Sequence, residues 1–324
     1  MQKLKTAAFA AVLSALGGAA SAEDVINAVH FAPTPSDFTQ EFLRFVDAVN
    51  ERGEGVVRID VRGGPEVIPN PQLGTAQQDG LVDMIHTPAG LYLELVPEGE
   101  VLSASSVTPM EARETGAWDF INEIYQSKGN AMLLAHMNAS AGFHIWTVDE
   151  PTLRDDGMLD FSDILIRASP LYRQLFENLG ATMVIQPAPE VYTSLERGVI
   201  NANAYPVLGY ASFGWDRFTR YRVDPGFFRM DVLISMNLDA FNALSPEAQE
   251  IVLEVSEEFE RRSFEETAEL NDRLAQEMID DGQTVVEMTG EGRERFLEMA
   301  ADAAWERMEA RDPTHIERLR ELFE

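Results

Sequence analysis

Apolar positions along the chain alternate between two rhythms. Residues 25–31 read as a strand, closed by Pro33 and Pro35. Over 37–52 the apolar residues Phe38, Phe42, Phe45, Val46 and Val49 fall at helical spacing, and Gly53 and Gly55 stop the run. Residues 56–61 alternate as a strand does, Gly63-Gly64-Pro65 marks a loop, 71–79 a short helix and 81–87 another strand. This order predicts an α/β lobe with mostly parallel strands. The pattern then repeats. The spacing predicts one helix over 111–126, strands over 132–137, 143–147 and 163–167, a helix from Ser169-Pro170 to Leu179, a strand over 181–185 and a helix over 190–197. Ser169 reads as the N-cap and Pro170 as the first-turn proline of its helix.

Two segments match across these halves. Gly80-Leu81-Val82-Asp83-Met84-Ile85-His86-Thr87-Pro88 and Gly198-Val199-Ile200-Asn201-Ala202-Asn203-Ala204-Tyr205-Pro206 each follow a short helix, start with a glycine suited to a helix end and finish in proline. As two related lobes, each sends a carboxyl strand end toward a shared cleft, where open α/β sheets bind ligands. That brings His86, Thr87, Ala204 and Tyr205 to the cleft. A last strand over 232–237 closes this region. Ser245-Pro246 then opens a helical pattern to about residue 281, carried by Ile251, Val252, Val255, Phe259, Phe264, Leu270, Leu274 and Met278. It is on the order of 50 Å long, more than one small lobe needs. A short strand at Val285-Val286 and a helix over 291–311 follow. The expected division is 23–147 for the first part of lobe I, 148–235 for lobe II, and 236–324 for the long helix and the helices that return to lobe I.

The N-terminus sets the compartment. Lys3 and Lys5, an alanine-rich apolar run over 7–16 and a small-residue stretch ending Ala20-Ser21-Ala22 read as a secretory signal, residues 1–22, cleaved after Ala22. The apolar run is too short to span a membrane, so the mature chain is expected to be periplasmic without membrane insertion. The absence of cysteine removes thiol catalysis and thiolate zinc sites. Removing the two leader lysines from 25 basic residues leaves 23 against 55 acids, a net charge of -32. Such a chain is a poor partner for nucleic acid. An anionic ligand would need a local positive site to overcome that field.

Ile164-Leu165-Ile166-Arg167-Ala168-Ser169-Pro170 supplies one. An arginine ends an aliphatic strand just before a helix start, and its guanidinium can hold a carboxylate through two parallel bonds. Phe143, Trp146, Tyr192, Tyr205, Trp215 and Phe227-Phe228 are available to wall an apolar pocket around it. Phe31, Thr34, His86, Thr87 and Ser169 complete the candidate ligand-binding set. Enzyme signatures are poor. The five histidines show no metal-binding spacing, Gly209-Tyr210-Ala211-Ser212-Phe213-Gly214 misses the nucleophile elbow by one residue, and no glycine-rich phosphate loop is present. No catalytic residue, metal or cofactor is expected.

Gly80-Leu81-Val82-Asp83-Met84, Ile166-Arg167, Leu179-Gly180-Ala181 and the run from Pro189-Glu190-Val191-Tyr192 through Leu195-Glu196-Arg197-Gly198-Val199-Ile200-Asn201 resemble the solute-binding subunit of tripartite ATP-independent periplasmic (TRAP) transporters, the dicarboxylate-binding (DctP) type. The resemblance covers residues 25–308. It implies a two-lobed α/β periplasmic binding protein fold with a long helix spanning both lobes, a monomer that captures a small organic acid, aromatic or 2-oxo acids included, and hands it to membrane permease subunits. Arg167 matches the arginine that grips the ligand carboxylate, and Tyr205 falls opposite it. The family's Asp-Gly is replaced by Asn201-Ala202. Ala204 stands where members that bind through a metal carry an acid, which argues against metal-mediated binding. A binding subunit for another importer or a sensor is the alternative within the class; a periplasmic hydrolase or lyase is the alternative outside it.

Overall fold

The structure, a computed structural model, describes residues 23–324; residues 1–22, expected from the sequence to be a secretory signal, lie outside the described residues. The first lobe is built from β1 (Asp24–His30), α1 (Asp37–Arg52), β2 (Val57–Gly63), α2 (Leu73–Gln78), β3 (Met84–Pro88), α3 (Val101–Ala104), α4 (Pro109–Thr115), α5 (Ala117–Gly129) and β4 (Ala131–Met137). The second contains β5 (Gly142–Thr147), β6 (Leu165–Ala168), α6 (Arg173–Asn178), β7 (Thr182–Ile185), α7 (Val191–Glu196), β8 (Ala202–Pro206) and β9 (Tyr221–Arg229). The chain returns through β10 (Val232–Asn237), α8 (Leu238–Ala243), α9 (Pro246–Asp280), β11 (Thr284–Glu287), α10 (Gly290–Arg311) and α11 (Ile316–Phe323).

Each lobe has its own sheet, in the order β2-β1-β3-β10-β4 and β11-β9-β5-β8-β6-β7. In the first, β2, β1 and β3 are parallel and β10 runs antiparallel to β3 and β4. In the second, β7, β6 and β8 are parallel and β5 is antiparallel to β8 and β9. The sequence division placed its boundaries at 147 and 235, and the pairing gives the sheet membership of the strands on either side. β5 belongs to the second sheet and the whole of β10 to the first. Periodicity tells which residues are extended but not which sheet they join.

Local chemistry accounts for several helix starts. Ser36 caps α1 by accepting from the Thr39 amide at 3.3 Å, and Ser245 caps α9 in the same way. The single helix expected over 111–126 is two helices. Thr108 and Glu111 form a capping box at α4, and Gly116, at φ +80°, breaks the run before α5. The helix expected from Ser169 also differs. Ser169 is extended, but its side chain makes no cap bond, and a 3-10 turn over Pro170–Tyr172 precedes α6. The α11 helix was not anticipated; it docks Ile316, Leu319 and Phe323 beside Trp305 and Met308.

Four segments tie the lobes together. β4 crosses to β5 and β9 crosses back to β10 as an antiparallel pair, with Val232 opposite Met137, Arg229 opposite Gly142 and the Met230 amide on the Ala141 carbonyl at 2.8 Å. Asn138 (φ +58°) and Phe228 (φ +48°) take left-handed conformations in this ribbon, which costs energy for non-glycine residues. The 35 residues of α9 extend about 52 Å. Toward its middle Phe259 meets Phe45 of α1, with ring centroids 5.8 Å apart; near its end Met278 packs with Trp146, Tyr210 and Trp215 of the second lobe. α10 does the same on the other side, with Phe296 on Phe227 and Trp305 in the core of the first lobe.

Candidate functional site

The paired segments found in the sequence occupy equivalent places. Gly80 (φ +72°) and Gly198 (φ +65°) turn the chain out of α2 and α7, and β3 and β8 then enter the middle of their sheets. The segments that follow the carboxyl ends of β6 and β8 touch the first lobe. A methyl group on Gly90 would lie 3.6 Å from Leu171, and one on Gly209 would lie 3.2 Å from the Phe38 ring. These strand ends therefore face the other lobe.

Arg167 lies one residue from the end of β6 and is only 5% exposed. Its Nε donates to the Gln186 carbonyl at 3.0 Å, and its Nη1 to the Tyr172 hydroxyl at 2.9 Å; that hydroxyl donates onward to the Ala204 carbonyl at 2.7 Å. The bonds fix the guanidinium between the ends of β6, β7 and β8. No carboxylate pairs with it among the described residues. The other arginine in the buried class there, Arg222, faces Asp224 through two bonds of 3.0 Å. A buried cation without a counter-ion is costly, and in a chain with 55 acids a neutralising carboxylate would be easy to supply. The arrangement suits a cation kept free for an anion from outside.

Tyr205 stands beside it. Burial pushes its phenol up, while the nearby Arg167 charge pulls it back down, so it remains a neutral donor. Its ring meets Trp215 at 5.0 Å and Phe213 at 5.7 Å, both edge-on. Phe143 joins through Tyr172, 5.6 Å between centroids. Arg167, Tyr205, Trp215 and Phe143 thus share one neighbourhood, with Ser169 leading away from it. In the first lobe Phe31 and His86 meet at 5.4 Å. His86 is buried, stacked on Phe42 at 4.8 Å; burial, then the His30 charge, pushes its pKa down to about 3. Its Nδ1 and the buried Thr87 Oγ1 have no hydrogen-bond partner among the described residues.

Tyr192 packs on Phe218 at 5.0 Å and belongs to the same cluster as Tyr205, Phe213 and Trp215; a methyl group on Gly214 would lie 3.4 Å from its ring. Thr34 stands apart, exposed, its carbonyl accepting from Gln40. Tyr172, Gln186 and Asn203 belong to the Arg167 surroundings and were not anticipated. For Asn203 a signal existed, a polar residue between two alanines in a buried strand; for Tyr172 and Gln186 only the fold supplies one. Three surface depressions of about 490, 250 and 290 Å³ are lined by other residues. The largest lies between the start of α1 and the end of α9, around Asp37, Asp216 and Met278.

Two α/β lobes, joined by a strand ribbon and two long helices, with a buried unpaired guanidinium at a strand end facing the other lobe, define the architecture of a two-lobed solute-binding protein. The model of the bacterial extracellular solute-binding protein family 7 (DctP) matches residues 28–312, and the chain belongs to that family. It is a family of binding proteins, not of catalysts. A monocarboxylate 2-oxoacid-binding periplasmic protein of Nostoc is 27% identical over 220 residues, 63% of this chain and 57% of that protein; the chain thus matches little more than half the length of that relative. The ectoine-binding periplasmic protein TeaA of Halomonas elongata is 22% identical, over 81% of this chain and 77% of that protein. Among solved structures, a TRAP solute-binding protein of Desulfovibrio desulfuricans with bound sn-glycerol-3-phosphate superposes with a TM-score of 0.80 at 17% identity, over 92% of this chain and 96% of the other. The pyroglutamate-binding receptor DctP7 of Bordetella pertussis gives 0.79 at 17% identity, over 92% and 99%. Among the described residues no helix is long and apolar enough to cross a membrane.

Proposed function

We propose that this protein captures a small organic carboxylate between its lobes in the periplasm and delivers it to the membrane subunits of a TRAP permease. The observation that carries this reading is Arg167, buried, held by two neutral acceptors and left without a carboxylate. With Nε occupied by the Gln186 carbonyl, the fork formed by Nη1 and Nη2 is the edge that receives the ligand carboxylate. Tyr205, Trp215 and Phe213 wall the remainder of the solute, and Phe31, His86 and Thr87 approach from the first lobe. A charge-assisted bond of this kind contributes roughly 1.5–3 kcal/mol. Binding shifts the lobes toward closure only as far as the closed form holds the solute more tightly than the open one.

Membership of an extracellular family and the printed ligands of the relatives, a 2-oxoacid in one and pyroglutamate in another, support the reading. The protein is exported, its leader removed after Ala22, and it acts as a monomer. Calorimetric titration of the mature protein with a panel of small acids and their methyl esters tests it. At least one acid binds and its ester binds at least about tenfold more weakly. A protein that takes esters and acids equally, or no acid in the panel, refutes carboxylate capture.

A further inference from the structure

Small apolar and polar side chains alternate in β8. Ala202 and Ala204 join the core shared with α6 and α10, and Asn203 and Tyr205 share the opposite face. Asn203 is in register with Arg167 on β6 and with Trp146 on β5, so these three side chains leave the sheet on one face. Asn203 is 0% exposed, yet neither its Oδ1 nor its Nδ2 has a hydrogen-bond partner among the described residues. The polar groups around it are already engaged. Trp146 Nε1 donates to the Tyr205 carbonyl at 2.8 Å, and the Tyr210 hydroxyl, which the Asn203 side chain approaches without completing a hydrogen bond, is paired with Thr219 Oγ1 at 3.1 Å.

A buried amide with both ends unpaired is rare in native proteins and weakens the fold relative to an apolar residue of similar size. A function for it must use a donor and an acceptor together, and must lie within reach of Arg167. Neighbouring strands are about 4.8 Å apart. Arg167 and Asn203 therefore leave adjacent strands side by side on one face, close enough for one small acid to span both. A hydroxyl is the small group that both donates and accepts, matching the two ends of the amide.

We propose that Asn203 selects the solute, pairing with a hydroxyl on the second or third carbon of the acid that Arg167 holds, so that small hydroxy acids are preferred over their plain counterparts. The inference rests on carboxylate capture at Arg167. It is tested by calorimetry on matched pairs, lactate with propionate, 3-phenyllactate with 3-phenylpropionate and malate with succinate, against the wild type, Asn203→Ala and Asn203→Leu. The wild type prefers the hydroxy acid of at least one pair by about tenfold. Both variants lose that preference while their affinity for the plain acid changes less than about threefold. Asn203→Leu, which keeps the volume and removes the unpaired groups, melts no lower than the wild type without ligand. A wild type that binds acids without preferring the hydroxy form overturns selection by Asn203 and leaves carboxylate capture standing. A preference that survives in either variant overturns it in the same way. Binding of no acid in the panel refutes both readings.

Discussion

The ends of β3 and β8 occupy matching positions in the two lobes but carry different chemistry. At β3 aromatic rings pack the strand end. His86 is stacked on Phe42, tilted against Phe31 and held neutral, and its Nδ1 and the Thr87 hydroxyl have no partner among the described residues. At β8 the strand end carries charge, with a guanidinium on the neighbouring β6 that has no counter-ion, and an amide that has no partner, among the described residues. The same helix–glycine–strand unit thus serves as a wall in one lobe and as a grip in the other. The difference lies in what the adjacent strands contribute. β3 is flanked by β1 and β10, both rich in apolar residues, and β8 by β6, which brings Arg167.

The comparison breaks most directly at Arg167. Arg167→Ala is expected to weaken binding of the cognate acid by about 10- to 100-fold, measured by calorimetry, without lowering the thermal midpoint of the ligand-free protein by more than a few degrees. Unchanged affinity would transfer the grip to some other residue. Tyr172→Phe removes the hydroxyl that links Arg167 to the Ala204 carbonyl. It should cost about tenfold in affinity, visible mainly as faster dissociation in a stopped-flow assay. Thr87→Val keeps the shape and removes the unpaired hydroxyl. As a contact on the wall side it should cost only about threefold; a loss as large as that of Arg167→Ala would make the two lobes equal partners.

The smallest effect on binding is expected at His86, whose role shows in stability instead. Its folded pKa is depressed to about 3 from an ordinary 6.5. Between those values the unfolded chain takes up a proton that the folded protein refuses, so stability is lost as pH falls through that window. His136, pushed down to about 4 by burial, acts in the same direction. Glu100 and Asp231, raised by burial to about 7 and about 6, act in the opposite direction, so in urea unfolding between pH 7 and pH 4 His86→Leu should shift the balance toward greater relative stability at pH 4 than the wild type shows. An unaltered slope would mean that the imidazole is not buried in solution.

Much of the fold was legible because it is written in local pattern. The α1 stripe of Phe38, Phe42, Phe45 and Val49, the Ser245-Pro246 start of α9 and its run to Asp280, and the two glycines before β3 and β8 each follow from spacing and turn chemistry within a few residues. Arg167 was legible too, as a cation at the end of an aliphatic strand. The break at Gly116 and the missing side-chain cap at Ser169 were not, because a glycine inside a periodic run and a serine before proline each allow more than one outcome.

By itself the sequence determined where the chain is extended, where it coils, and which single cation stands out against an acidic background. Those properties depend on near neighbours and on composition. Only the tertiary structure decided that β5 joins the second sheet and β10 the first, that Arg167 is held by Tyr172 and Gln186 with no carboxylate among the described residues, and that Asn203 lies in register with it, unpaired among them. Strand pairing joins residues dozens of positions apart. Whether a polar group is satisfied depends on every atom around it, which no local pattern records.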